Sequence, residues 1–262
     1  MKSYIRCVNV DFESSRSEEF YGQSLRGQEK SEAQFLADIQ LNVKGMRNLR
    51  ESFQDYVAVE TLEGDNKYQA EGHGLQDAKK GVIFQSFPPV LHLQLKRFEY
   101  DMQRDAMVKV SEDLSNCTLS LLTWPKINDR HEFPFEINLD EFLDESADRS
   151  ESYNYKLHGV LVHSGDLHGG HYFALIKPDK DTRWLKFDDD RVTPVTDKEV
   201  LDDNYGGEST NGLLQYQRQQ VRTMKRFTNA YMLVYIRECK VDEVLGNFTD
   251  ADTPIHLRKL YI

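Results

Sequence analysis

Apolar and polar positions alternate in short bursts along the chain, and the bursts are too brief for long helices. Residues 4–12 and 39–44 read as strands, as do Val82-Ile83-Phe84 and Leu91-His92-Leu93-Gln94-Leu95. The Pro88-Pro89 pair suits the entrance of that last strand, where a missing N–H costs no ladder bond. Further on, 155–163, 172–176 and 183–187 follow in quick succession, and the unbroken apolar run 230–236 reads as a central strand. Helical spacing is confined to a few places. Leu49, Phe53 and Tyr56-Val57 follow the capping residue Asn48, and Thr196-Asp197-Lys198-Glu199 is a capping-box pattern stopped by Asn204-Tyr205-Gly206-Gly207. Leu75 to Lys80 and Asp140 to Leu143 are expected as single helical turns. Glu63-Gly64-Asp65-Asn66 is a turn, 144–151 a charged linker and 208–226 a polar loop. The sum is an α+β domain, mainly β, with an antiparallel sheet.

With 262 residues, 39% of them hydrophobic and 11% aromatic, the chain can bury a core and is not a disordered segment. No apolar run approaches the roughly 18 residues a spanning helix needs, so no membrane segment is expected. Acids outnumber bases 44 to 33, and the net charge of −11 disfavours nucleic acid and anionic lipid as partners while suiting a basic surface or tail. Cys7, Cys117 and Cys239 are widely separated with no paired spacing, which indicates neither a disulfide framework nor a thiolate zinc site. That usage suits a reducing compartment. The opening residues, Met1-Lys2-Ser3-Tyr4-Ile5, hold no apolar stretch of a secretion signal, and a start in strand-like alternation points to sequence upstream.

The chemistry concentrates in His163-Ser164-Gly165-Asp166-Leu167-His168-Gly169-Gly170-His171-Tyr172, which holds three histidines and three glycines. The turn signal 177–182 folds the next two strands into a hairpin. Pairing outward from its midpoint sets Ile176 against Arg183, Leu175 against Trp184, Tyr172 against Phe187 and His171 against Asp188. Opposite residues have Cβ atoms about 4.5–5.5 Å apart, so Asp188, or Asp189 if a bulge intervenes, can hold the His171 ring by one nitrogen. A histidine oriented by a carboxylate is the base half of a nucleophile, base and orienter triad. The rival chemistry is a metal site using His163, Asp166, His168 and His171. Gly169-Gly170 prevents the helix that would align those histidines, and no HExxH pattern occurs. No thiol stands out as the nucleophile. Cys7 reads as a packed strand residue, Cys117 falls in the irregular stretch 111–125, and Cys239 follows the last strand.

His163-Ser164-Gly165, Gly169-Gly170-His171-Tyr172, Trp184 and Phe187-Asp188-Asp189 together resemble the histidine box of the ubiquitin-specific proteases, the papain-like cysteine deubiquitinases. Leu62-Glu63-Gly64-Asp65-Asn66-Lys67-Tyr68, the run from Pro89 to Phe98 and Asn229-Ala230-Tyr231-Met232-Leu233-Val234-Tyr235 resemble later boxes of the same family, in order. The wording is nearest to the herpesvirus-associated branch and its fungal counterparts. The resemblance covers about Tyr4 to Glu238. It implies the palm and part of the fingers of a papain-like deubiquitinase over residues 1–238, mainly antiparallel β with short helices, and a carboxyl-terminal extension over 239–262.

By the same resemblance, His171 is the general base, Asp188 its orienting partner and Asp189 a polar group near the oxyanion. Phe98, His163, Tyr172 and Tyr231 match positions lining the channel for ubiquitin's carboxyl-terminal tail, which is basic before its final glycines. The implied partners are ubiquitin and ubiquitinated proteins, in the cytoplasm or nucleus. No cofactor is expected, and the absence of the CxxC pairs of zinc-bearing relatives argues against a metal. The cysteine box and the thumb that bears it are expected upstream of Met1. Residues 22–37 and 111–125 stand as inserts, read as translated introns in a partial gene product. On that reading the chain alone is inactive, with a non-catalytic ubiquitin-binding remnant as the alternative.

Overall fold

The computed structural model describes residues 1–17, 39–98, 127–165, 169–180, 182–210 and 223–246. The expected inserts at 22–37 and 111–125, together with Cys117, Asp166 and His168, lie outside the described residues, as does the extension beyond Gly246.

Two sheets hold most of the strand residues among those described. The smaller has the order β2-β1-β7-β4, from β1 (Lys2–Cys7), β2 (Glu13–Ser17), β4 (Glu60–Leu62) and β7 (Ala78–Ile83). Its minor core gathers Cys7, Ala70 and Ala78, so Cys7 is the packed strand residue its alternating neighbours implied. Beside it, β5 (Tyr68–Ala70) pairs with β6 (Gly74–Gln76). The helical turn expected at 75–80 is therefore strand. Its backbone is claimed by β5 on one side and by β1 and β4 through β7 on the other, which outweighs the weak local helical pattern.

The larger sheet has the order β13-β12-β11-β10-β16-β8-β3, with β9 added beside β10. Its strands are β3 (Ile39–Asn42), β8 (Val90–Lys96), β9 (Glu136–Asn138), β10 (Asn154–Gly165), β11 (Gly170–Ile176), β12 (Leu185–Asp188), β13 (Arg191–Pro194) and β16 (Thr228–Arg237). Only the β3–β8 pairing in this sheet is parallel. The run 230–236 is central as its composition predicts, since β16 is flanked by β10 and β8. Along β8, Leu91, Leu93 and Leu95 point into the core while their neighbours are half-buried, the period-2 signature of a sheet with one covered face.

Covering that face is α1 (Leu49–Tyr56), capped by Asn48, whose side chain accepts the Glu51 N–H at 3.0 Å. Phe53 on α1 meets Phe84, Phe87 and Phe142 at ring separations of 6.4, 6.3 and 5.1 Å. The expected capping box opens α2 (Asp197–Val200) from Thr196. The polar loop expected over 208–226 contains a further pair, β14 (Glu208–Thr210) with β15 (Thr223–Lys225). A final short helix, α3 (Val241–Leu245), follows β16.

One buried histidine ties α1 to the sheet. His131 is fully enclosed, and its Nε2 lies 2.8 Å from the Ser52 hydroxyl, which itself donates to the Asn42 carbonyl at 2.6 Å. The hydroxyl proton is thus committed, and Nε2–H donates to the Ser52 oxygen. Burial, with the nearby Arg97 cation, pushes the imidazole down to about 3. Because the folded value lies below the unfolded one, the unfolded chain binds the extra proton as pH drops from about 6.5 toward 3. Stability from this group is complete above about 6.5 and is lost on acidification at up to about 1.4 kcal/mol per pH unit. Between pH 7 and pH 5, urea denaturation of the full-length protein should show a loss about 2 kcal/mol greater than in His131→Gln. Equal losses in the two proteins would refute the assignment.

Candidate functional site

The site is built on the hairpin of β11 and β12, at the far end of β10. His171 follows the first residue of β11 and stands opposite Ser164 of β10, while Asp188 ends β12. The pairs are Ala174 with Phe187, Leu175 with Lys186 and Ile176 with Leu185. This register is displaced by two residues from the one drawn from the turn signal. The cause is Trp184, which leaves the strand to bury itself against Phe135, with ring centroids 5.8 Å apart. A shift of two preserves the face of every side chain, so His171 and Asp188 still meet, now along a diagonal. His171 Nε2 is hydrogen-bonded to Asp188 Oδ1.

The second carboxylate oxygen is occupied as well. Lys186 Nζ lies 2.6 Å from Asp188 Oδ2 and 4.1 Å above the centre of the Phe173 ring. The Lys186 contact first, and the His171 hydrogen bond second, hold the Asp188 carboxyl below its usual range, so it is ionised at neutral pH. Asp189 comes next, at φ +51° in the two-residue turn closed by the Asp188–Arg191 pair, a conformation that aspartate tolerates better than most residues. Polar atoms of His171, Asp188 and Asp189 lie within 4.8 Å of one another.

Of the metal set weighed as a rival, Asp166 and His168 lie outside the described residues, and His163 and His171 are not grouped among the described ones. His163 is buried and stacks against Tyr172 rather than joining His171. Lys186 already neutralises Asp188, which disfavours a second cation there.

From His171, an aromatic row leads away across the sheet. His163 lies between Phe98 and Tyr172, with ring centroids 5.8 and 4.6 Å away, and Tyr172 meets the Tyr231 ring edge-on at 5.5 Å. All four expected channel residues are therefore contiguous. Tyr172 and Phe98 are exposed, while His163 forms the floor. Tyr231 reaches its place through a bulge. Leu161 pairs with Met232 and Val162 with Ala230, so Tyr231 has no opposite number in β10. Gly170 is needed for a different reason: a Cβ there would stand 2.0 Å from His163 Nε2. At Gly169, by contrast, a Cβ meets nothing within 4 Å.

Arg97, next to Phe98, is buried and carries no carboxylate contact among the described residues. Its Nε donates to the Ala230 carbonyl at 3.1 Å, Nη1 to Asp129 and Ile127 at 2.7 and 3.3 Å, and Nη2 to Tyr205 at 3.2 Å. Burial draws the guanidinium down to about 10, which leaves it charged at neutral pH. It thereby pins β16 one residue before Tyr231. Neither Arg97 nor Lys186 is among the residues expected from sequence. Lys186 had a signal, since it lies two residues before Asp188 and so on its face. Arg97 had none.

The described cysteines lie away from His171. Cys7 belongs to the smaller sheet, which supplies none of these residues. Cys239 follows Arg237, which pairs with Tyr155, whereas His171 pairs with Ser164 at the other end of β10. At the ordinary strand rise these points are roughly 30 Å apart.

The ubiquitin carboxyl-terminal hydrolase family profile matches residues 1–235. The chain belongs to this family. It is 56% identical over 258 residues to ubiquitin carboxyl-terminal hydrolase 15 of Schizosaccharomyces pombe, an alignment covering 98% of this chain and 20% of that protein. It is 48% identical over 264 residues to ubiquitin C-terminal hydrolase 12 of Arabidopsis thaliana, covering 98% and 20%. With ubiquitin carboxyl-terminal hydrolase 7 of Drosophila melanogaster it shares 48% over 252 residues, covering 96% and 18%. The chain thus spans about a fifth of the length of these relatives. The resemblance read from the histidine box and the α+β, largely antiparallel architecture both hold for this member of the family.

Proposed function

We propose that the whole protein is a thiol-dependent ubiquitin hydrolase, and that this chain supplies its base, its orienter and much of the channel for the ubiquitin tail. The observation that carries the reading is the His171–Asp188 pair, half-exposed at one end of a row of aromatic rings. Asp188 takes Nε2–H and fixes the tautomer, which leaves Nδ1 to accept the proton of a cysteine thiol. The thiolate attacks the carbonyl carbon of ubiquitin's last glycine, and the resulting oxyanion collapses as Nδ1–H protonates the departing amine. Water then gives its proton to Nδ1 and its oxygen to the thioester, releasing the carboxylate and the thiol.

Asp189 is assigned as a polar group beside the oxyanion. Phe98, Tyr172 and Tyr231 are assigned as walls of the channel and His163 as its floor. Ubiquitin conjugated to proteins is the proposed substrate, in the cytoplasm or nucleus. The net charge of −11 favours a tail that is basic before its glycines. The placement of Cys7 and Cys239 leaves neither as the nucleophile, Cys117 lies outside the described residues, and it is the family resemblance that assigns the thiol to a cysteine box in another part of the whole protein.

The test is to treat the full-length protein with ubiquitin bearing a thiol-reactive warhead and to map the adduct by mass spectrometry. Stoichiometric labelling of one cysteine other than Cys7, Cys117 and Cys239 is expected. No adduct, or an adduct on any of those three, would overturn the assignment.

A further inference from the structure

We propose that Lys186 is a positioning residue of this site, holding the Asp188 carboxylate so that its other oxygen faces His171. The proposal rests on the functional reading above. The geometry that carries it is a closed circuit of four side chains on one face of β11 and β12. His171 bonds Asp188 Oδ1, and Lys186 Nζ sits 2.6 Å from Asp188 Oδ2. Lys186 also lies 4.1 Å over the Phe173 ring, and Phe173 in turn lies 6.4 Å from the His171 ring. Each strand contributes two members spaced by two residues, and each member touches one partner on its own strand and one across.

The need for such a device follows from where Asp188 sits. It is the last residue of a four-residue strand near the edge of the sheet. The torsion that turns an aspartate carboxylate is soft and roughly two-fold. With one oxygen hydrogen-bonded to a half-exposed imidazole, the group could rotate toward water and release the ring. The ammonium removes that freedom, and the face of Phe173 keeps the ammonium in place by a cation–π contact.

Lys186 also places a positive charge near the imidazolium that forms during the reaction. Among the described residues, the other charged groups nearest His171 along these strands are Asp188 on β12, Asp189 and Asp190 in the turn after it, and Arg191 opposite Asp188 on β13; on the β10 side it faces the uncharged Ser164. Removing the Lys186 charge favours the protonated ring, whereas an arginine that keeps the charge does not.

The experiment measures hydrolysis of a ubiquitin carboxyl-terminal amide by the full-length protein across pH, in wild type, Lys186→Met and Lys186→Arg. Lys186→Met should lower kcat about tenfold, as loss of an outer hydrogen-bonding partner does elsewhere, with KM unchanged because Lys186 touches none of the channel residues. The alkaline limb of its profile should move up by about half a pH unit, the order of effect of one nearby charge in a solvated site. Lys186→Arg should restore both. If wild type is active and His171→Ala is not, but Lys186→Met keeps its kcat and its limb, the inference fails while the functional reading stands. A fall in kcat with no movement of the limb and a matching fall in thermal midpoint would mark Lys186 as merely structural, and would equally overturn it. If His171→Ala retains wild-type activity, the functional reading itself falls.

Discussion

Replacing His171 by alanine should cut kcat/KM for ubiquitin carboxyl-terminal amide hydrolysis by about 10⁴-fold or more in the full-length protein, with little change in its folding. The size follows from what the imidazole does, because removing the base of a nucleophile, base and orienter set disables the whole set. The small effect on folding follows from exposure: the side chain is about half accessible, and its bonded partner Asp188 keeps Lys186. Asp188→Asn should fall less far, because the amide can still face Nε2 but no longer offsets the charge of the imidazolium. Initial rates, with thermal midpoints measured in parallel, decide the matter. Activity within tenfold of wild type would remove His171 from the mechanism.

The second large effect belongs to Arg97. Arg97→Met should destabilise the protein by about 3–4 kcal/mol, read from the urea midpoint, because four buried or half-buried carbonyls lose a charged donor at once and only that of Tyr205 is shown to keep another, the His131 N–H. Each bond to a charged donor is worth about 1.5–3 kcal/mol, and the total is reduced because a cation no longer has to be kept out of water. Lysine should recover little, since one ammonium cannot fan out to carbonyls at Ile127, Asp129, Tyr205 and Ala230 as a planar guanidinium does. A loss below about 1 kcal/mol would show that water replaces the missing donors.

Much of this architecture is legible because it depends on period. The Leu91, Leu93 and Leu95 alternation, the apolar run of β16, the Asn48 cap and the Thr196–Glu199 box each state their structure locally, and each is found. The pairing of His171 with Asp188 survived an error in register because the error was even. Trp184, drawn out of its strand by burial against Phe135, displaced the hairpin by two and left His171 and Asp188 on one face. What the sequence hides are the relations that cross it. The segment 75–80 becomes strand only because β1, β4 and β5 are there to pair with it. Arg97 meets backbone carbonyls as many as 133 residues away, and a carbonyl leaves no trace in composition or pattern.

The bulge in β16 divides the work of that strand in an unexpected way. Every neighbour of Tyr231 has a duty in the ladder, with Ala230 paired to Val162 and Met232 to Leu161. Tyr231 has none in the pairing with β10, and excising it would close the offset between Leu161 and Val162 and leave only the one between Leu157 and Gly159. That pairing is therefore indifferent to what occupies the position, and a side chain there answers to the Tyr172 ring it meets. One surplus residue in an interior strand gives the protein a place where a half-buried ring can be exchanged without renegotiating the ladder beneath it.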